Sequence, residues 1–357
     1  MGKSPAREQK VSSISRRSRI TRLGAPLALL SLAGAAAYSE VRYRRELAAD
    51  PLTEQLKSPL GGTSLDVVSA DGTLLHAELY GDQPGRPTVV LVPGWTEQLA
   101  VWNLIIRRLV DRGFRVAAYD LRGQGLSGLP ADADQRIERY GEDLEAVLIA
   151  VGAGVDHDDV IVAGHSMGGM SIMAWAAAVD ASSRVRAAAL VNTGAFELVT
   201  SSTLLPAFLP LAVRRAVGDR VVLGGAPAPV LSNPLTRAVI RYAAFGPTAS
   251  PAQVALLARM DAACPPAVRR AAGATLGLLD VRVGVGALQV PTLVVTGTND
   301  RLTPPVLAQQ LVESLPNLTD FLLLPQTGHM SLLERPDELA DALTRLATGV
   351  GLEPRPV

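Results

Sequence analysis

The chain is poor in the residues that build metal and disulfide sites. Its 357 residues contain one cysteine, Cys264, and four histidines, His76, His157, His165 and His329. A lone thiol cannot close an internal disulfide and gives no basis for a thiolate zinc site, although it leaves the redox compartment open. Four scattered histidines do not form a ligand pattern, so neither a metal nor any other cofactor is expected. Net charge is lacking as well. Thirty-four Lys and Arg stand against 34 Asp and Glu, which argues against an overall basic nucleic-acid binder. Lysine itself is nearly missing, with only Lys3, Lys10 and Lys57. With the heavy use of alanine this looks like a GC-rich coding bias and carries no function. Apolar residues are abundant at 48%, ample for a large core. The length fits about two domains, or one large α/β domain with an insertion.

The zero charge is a sum of unlike parts. Residues 1–50 hold ten basic and four acidic side chains, a net +6, so the other 307 residues carry −6. Residues 1–22 are basic and polar, and residues 23–38 (LGAPLALLSLAGAAAY) then run for sixteen residues without a charge. A basic stretch, an apolar stretch and small residues follow each other as in a signal peptide, with Ala35-Ala36-Ala37 as a cleavage-site candidate. Sixteen helical residues reach about 24 Å, short of a hydrocarbon core of about 30 Å. Counting from Ile20 to Val41 spans it. The flanking basic residues favour a cytoplasmic N-terminus. The expectation is a single-pass membrane anchor with the body outside the cytoplasm. Secretion after cleavage, or an alanine-rich helix on a cytoplasmic protein, are the alternatives.

From Leu65 onward, short apolar runs alternate with helical patterns. Leu65–Ala70 and Thr73–Gly81 flank Asp71-Gly72, a hairpin signal. Further strands are expected at Pro87–Val92, Arg115–Asp120, Asp159–Gly164, Val185–Asn192, Pro291–Gly297 and Asp320–Leu324. Their runs are apolar on both faces, as in parallel strands buried under helices. Helices are expected near 97–111, 136–152, 167–179, 304–315 and 334–347. This alternation predicts an α/β fold, a doubly wound and mostly parallel sheet that begins with an antiparallel hairpin. Residues 196–286 interrupt the rhythm. They read as helical, carry nine Arg and four acids, a net +5, and are too long for an ordinary loop. An insertion beyond the carboxyl ends of the strands is placed to act as a lid.

The strongest chemical signal is Gly164-His165-Ser166-Met167-Gly168-Gly169, lying between the strand DVIVAG and the helical MGGMSIMAWAAA. G-x-S-x-G alone is weak; its strand–turn–helix context is what counts. Glycines allow strand and helix to approach around a sharply turned serine. The Met167 N–H, at the start of the helix, faces a developing oxyanion. A serine hydroxyl needs a base, and the base needs an orienting acid. His329, in Gly328-His329-Met330 after the last strand, is the base candidate. His76, His157 and His165 read more simply as surface or packing residues. Asp300, in Thr298-Asn299-Asp300 at the end of a strand, is the acid candidate, with an N-cap role as its alternative. Pro93-Gly94-Trp95-Thr96 ends another strand, and Gly94 makes the Trp95 N–H the second oxyanion donor.

Residues 65–347 resemble the α/β-hydrolase fold superfamily, in its serine-nucleophile, cap-bearing branch. The resemblance rests on Pro93-Gly94-Trp95, on the segment from Asp120 to Ser127 (DLRGQGLS), on the elbow, and on Asp300 with His329, in that order. It implies that DLRGQGLS is a structural turn and that the triad is Ser166, Asp300 and His329. Pro93 departs from the family's usual His before the Gly, so altered geometry of the oxyanion loop is expected. The boundaries that follow are a basic region at 1–22 and a signal peptide or anchor at 23–41. A linker at 42–62, a core at 63–195 and 287–348, and a helical cap at 196–286 complete them. The implied function is cleavage of carboxylic esters with a hydrophobic acyl group or a lipid-like substrate. Trp95, Phe208 and Met330 are expected against the substrate, and cap leucines such as Leu276, Leu278 and Leu279 suggest an apolar pocket. Serine at the elbow disfavours the epoxide- and halide-processing relatives that use Asp. Cofactor-free perhydrolysis, carbon–carbon bond hydrolysis and a non-catalytic ligand-binding role stay open.

Overall fold

The computed structural model describes residues 34, 37–58, 60–83, 85–153, 159–205, 209–210, 212 and 233–355. The chain divides into two compact units, Met1–Ala49 and Asp50–Val357. In the first, residues 37–49 form a helix, α1. Its exposed face carries the i,i+4 pairs Glu40–Arg44 and Arg42–Glu46 at 2.9 and 2.7 Å. Such pairs add a few tenths of a kcal/mol each. The apolar run at 23–38 lies outside the described residues except for Gly34, Ala37 and Tyr38. Among the described residues, no helix is long and apolar enough to cross a membrane.

The stretch expected as a linker, 42–62, holds the rest of α1 and a second helix, α2 (Leu52–Lys57). Helix α2 forms because it has something to bury: Leu56 is 4% exposed. Asp50 ties it down, accepting from the Leu52 and Ala252 N–H groups at 3.0 and 2.9 Å.

Eight strands build one sheet: β1 (Thr63–Val68), β2 (Leu74–Tyr80), β3 (Thr88–Val92), β4 (Arg115–Tyr119), β5 (Val160–His165), β6 (Ala187–Val191), β7 (Thr292–Gly297) and β8 (Leu318–Leu324). Their order is β1-β2-β4-β3-β5-β6-β7-β8. The β1–β2 hairpin and the β2–β4 pair are antiparallel, and every pair from β4–β3 to β7–β8 is parallel. The hairpin turns at Gly72, whose φ of 85° favours glycine. Strands β3, β5, β6 and β7 are buried along their whole length, because helices cover both faces. Strand β8 differs from the expectation of burial on both faces. It is the sheet's last strand and buries only Leu324 fully, with Leu323 45% accessible.

Helices α3 (Asn103–Asp111), α4 (Ile137–Ala150) and α5 (Met167–Ala176) follow β3, β4 and β5. After β6 comes the helical insertion, described as α6 (Leu198–Ser201), α7 (Pro234–Ala244), α8 (Pro251–Ala263), α9 (Pro266–Gly277) and α10 (Arg282–Ala287). The chain closes with α11 (Pro305–Ser314), α12 (Ser331–Glu334) and α13 (Pro336–Gly349). The two ends of the insertion meet at a bridge between Phe196 and Asp280, where the Val281 N–H donates to the Ala195 carbonyl at 2.9 Å. The Arg282 guanidinium caps the Phe196 ring at 4.7 Å.

Insertion leucines do not share one role. Leu276 and Leu279 belong to the main hydrophobic core, while Leu278 is 88% exposed. They are therefore no argument for an apolar pocket. The segment from Asp120 to Ser127 is structural, as its resemblance implied. Arg122 is fully buried, donating bidentately to Asp143 at 2.6 and 2.7 Å and once to Asp71 at 2.8 Å. Asp120 caps the Leu99 and Leu126 N–H groups. The Ser127 hydroxyl donates to the Asp120 carbonyl and accepts from the His76 N–H.

Candidate active site

Ser166 sits between the last residue of β5 and the first of α5, with φ 51° and ψ −117°. A non-glycine residue at such a φ is strained and persists only where its surroundings impose it. Here they do. The Ser166 N–H donates to the Val191 carbonyl at 3.0 Å, and its own carbonyl accepts from the Thr193 hydroxyl at 2.8 Å and the Gly169 N–H at 3.0 Å. The flanking glycines are needed for close approach. A Cβ on Gly164 would lie 2.5 Å from the Gly168 backbone, and one on Gly168 would lie 2.3 Å from the Val92 carbonyl oxygen.

Asp300 follows β7 and His329 follows β8, so both come to the carboxyl end of the sheet, where the elbow also lies. His329 Nδ1 is 2.9 Å from Asp300 Oδ2. Asp300 is 2% exposed. One of its oxygens, Oδ1, accepts from the Leu302 and Thr303 N–H groups. The other, Oδ2, accepts from Asn192 Nδ2 at 2.9 Å beside the Thr303 hydroxyl. That hydroxyl has one proton to give and also faces the Asn192 carbonyl and His329 Nδ1, so it closes the loop around the pair. Burial alone would raise the Asp300 carboxyl; His329, Asn192 and the Thr303 N–H outweigh it and hold the group below its ordinary range. Asp300 is not the N-cap of α11, since Pro304 stands at that position and the Asp300 Oδ1 serves the 302–303 turn instead.

Asn192 and Thr303 were not legible as site residues. Asn192 follows β6 with a left-handed φ of 46° and accepts from the Ser331 hydroxyl, fixing its amide toward Asp300. No local pattern distinguishes it from any other residue after a strand.

The loop 93–97, which carries the candidate oxyanion donor Trp95, follows β3. The Gly94 N–H donates to the Glu97 carboxylate, and the Glu97 N–H returns to the Gly94 carbonyl at 3.2 Å. Thr96 takes a left-handed φ of 61°. The Trp95 and Met167 N–H groups make no hydrogen bond to a described residue, the condition an oxyanion site requires. The Trp95 indole N–H donates to the Arg269 carbonyl in α9 at 3.1 Å, so its side chain is held by the insertion.

His165 departs most from expectation. It is neither exposed nor a mere packing residue. Fully buried, it has Nδ1 3.0 Å from Glu97 Oε1 and Nε2 2.9 Å from the His329 carbonyl oxygen. The residue beside Ser166 is thereby tied to the base loop, the turn that carries the base candidate His329, and the His165 and His329 ring centroids are 4.8 Å apart. The Ser166 hydroxyl itself makes no hydrogen bond to a described residue. Unliganded catalytic contacts are often loose.

Met330 is buried, its N–H bonded to the Ala244 carbonyl of the insertion at 3.1 Å. Phe208 and His157 lie outside the described residues. Glu334 accepts from the Gly246 N–H of the insertion at 2.8 Å and the Gly328 N–H of the base loop at 2.9 Å. Among the described residues, no three His, Cys, Asp or Glu side chains are grouped to hold a metal ion.

Comparison with known proteins agrees with the fold. The family model described as the alpha/beta hydrolase fold matches residues 87–336. RutD of Variovorax paradoxus (strain S110) is 29% identical over 267 residues, 71% of this chain and 89% of that protein. The non-heme chloroperoxidase of Streptomyces lividans is 31% identical over 147 residues, 41% of this chain and 50% of that one. Among solved structures, the esterase RhEst1 from Rhodococcus sp. ECU1013 superposes with a TM-score of 0.66 at 21% identity, covering 81% of this chain and 99% of its own. At that identity the likeness concerns the fold.

Proposed function

This chain belongs to the alpha/beta hydrolase fold family, and we propose that within it the protein is a serine hydrolase of carboxylic esters. The observation that carries this reading is the Asp300–His329 pair, at 2.9 Å, brought to the same sheet end as a strained Ser166. In the proposed reaction Ser166 attacks the ester carbonyl while His329 takes its proton. Asp300 holds the Nδ1 proton and steadies the imidazolium. The Trp95 and Met167 N–H groups receive the tetrahedral oxyanion, each worth about 3 kcal/mol. His329 then protonates the leaving alcohol, and water releases the acyl group by the reverse sequence. The acyl group is taken to be apolar, which a Trp95 ring at the oxyanion loop supports. The helical insertion, seated on the base loop through Ala244 and Gly246, acts as the cap.

The test is turnover of p-nitrophenyl esters of graded chain length, with Ser166→Ala as control. Ser166-dependent hydrolysis is expected, strongest for a medium or long acyl chain. Folded protein without a Ser166-dependent burst or turnover would overturn the reading. The local similarity to a chloroperoxidase supports a second reading at the same site, perhydrolysis of an acyl-enzyme by peroxide. Bromination of monochlorodimedone in acetate, peroxide and bromide, where peracid made at the site oxidises the bromide, would detect it.

A membrane-anchored placement with the body outside the cytoplasm is proposed from the charge pattern around residues 23–38. Protease treatment of intact cells should degrade the body, and full protection would refute the placement.

A further inference from the structure

The family's usual His before the oxyanion-loop glycine is Pro93 here, and proline has neither a side-chain donor nor a backbone N–H to steady the loop. The structure holds the loop by other means. The Glu97 carboxylate, 3% exposed, takes the Gly94 N–H and reaches His165 Nδ1 at 3.0 and 3.1 Å. It approaches closely because residue 94 has no Cβ, which would stand 2.9 Å from Glu97 Oε2. On its other side, His165 Nε2 meets the His329 carbonyl at 2.9 Å. A carbonyl can only accept, so Nε2 must donate and Nδ1 is left facing a carboxylate. The contact therefore needs one shared proton, either on the ring or on Glu97. That leaves the pair with no net charge beside the position where an oxyanion would form. Burial opposes charging His165, but Glu97 and the His329 carbonyl more than compensate, so its basicity rises.

We propose that Glu97 and His165 are positioning residues. Together they lock three parts of the site to one another: the loop presenting the Trp95 N–H, the elbow carrying Ser166, and the loop carrying His329. This rests on the serine-hydrolase reading. Glu97 orients Gly94, and through it the next peptide, whose N–H is the oxyanion donor. His165 sets the height of the base loop by its bond to the His329 carbonyl. Two segments about 160 residues apart are joined without contact with substrate.

The proposal separates from mere structural support by its effect on the transition state. Rates are measured per active site, counted with a fluorophosphonate, and affinity for phenylboronic acid reports a tetrahedral, oxyanion-bearing adduct. Glu97→Ala and His165→Phe are each expected to lower kcat/KM for a p-nitrophenyl ester about 100-fold, the size of losing one oxyanion donor. Boronate affinity should fall by a similar factor while KM changes little. Glu97→Gln should recover activity to within about fivefold of wild type. Its amide oxygen can accept the Gly94 N–H while its NH2 donates to a neutral His165, whose Nε2 proton stays on the His329 carbonyl. Should the alanine variant fail to fold, Glu97→Asp, withdrawn by one methylene, should show the same loss. Wild-type kcat/KM and boronate affinity in the titrated sites of these variants would overturn the proposal. So would a Glu97→Gln variant as impaired as Glu97→Ala. Wild-type protein that neither turns over esters nor binds the boronate would instead remove the hydrolase premise, and the proposal with it.

Discussion

Replacing Asp300 by Asn tests the acid–base pair most directly, because size is kept while the chemistry of one atom changes. In the native protein Oδ1 serves the Leu302 and Thr303 N–H groups, and the new amide oxygen can continue to do so. The NH2 group then replaces Oδ2, which accepts from His329 Nδ1 and Asn192 Nδ2, both at 2.9 Å. His329 can satisfy that NH2 only by turning a lone pair toward it on Nδ1. Its proton moves to Nε2, the atom that accepts the Ser166 proton in the proposed reaction. A base in the wrong tautomer costs about 10⁴ in kcat, or roughly 5.5 kcal/mol of transition-state stabilisation. Stability should change far less. The bond from Asn192 is lost, because its NH2 then faces another NH2, and the one to His329 loses its charge assistance, at about 1.5–3 kcal/mol each, but a buried charge is also removed. The sign with pH follows from the lowered Asp300 carboxyl. Its stabilisation is present above the ordinary carboxylate range and is lost as pH falls through the folded-state value, so Asp300→Asn should flatten the acid limb of the stability curve. The assay is kcat for p-nitrophenyl butyrate per titrated site, with near-UV circular dichroism confirming the fold. A folded Asp300→Asn protein keeping more than about a tenth of wild-type kcat would refute the orienting role.

Gly168→Ala should destabilise the protein by about 3 kcal/mol, the upper part of the usual range for overpacking. The Cβ would stand 2.3 Å from the Val92 carbonyl oxygen, and backbone cannot swing aside as a flexible side chain can. Calorimetry should find Tm lowered by roughly 6 °C or more, and an unchanged Tm would contradict the tight elbow. Glu334, raised by burial to about 7 against two backbone N–H donors, binds a proton more readily folded than unfolded. Stability should therefore fall as pH rises from about 4.5 to 7, and the slope should be smaller in Glu334→Gln. Thermal melts across that range decide it, and equal slopes in the two proteins would remove Glu334 as the cause.

The elements were legible wherever periodicity and turn chemistry are local. All eight strands appear where apolar runs predict them, because β-branched stretches bounded by glycine, proline or aspartate have few other ways to bury themselves. Burial was less legible. The DFLLL run reads like its neighbours, yet β8 is the last strand of the sheet and leaves Leu323 in solvent. Strand order, which no single run encodes, makes that difference.

The site divides in the same way. Ser166, Asp300 and His329 stand out in the sequence because each sits in a recognisable turn after a predicted strand. The amino-acid order by itself determined the strands and the elbow turn, and it put forward Ser166, Asp300 and His329 as the candidate set. Only the tertiary structure decided what surrounds them. Asn192 and Thr303 close on Asp300, Glu334 joins the insertion to the base loop, and His165 becomes a buried link to Glu97. A turn is written in a few adjacent residues, whereas a buried polar group takes its meaning from partners that lie far away in the chain. Desolvation leaves such a group no alternative to those partners.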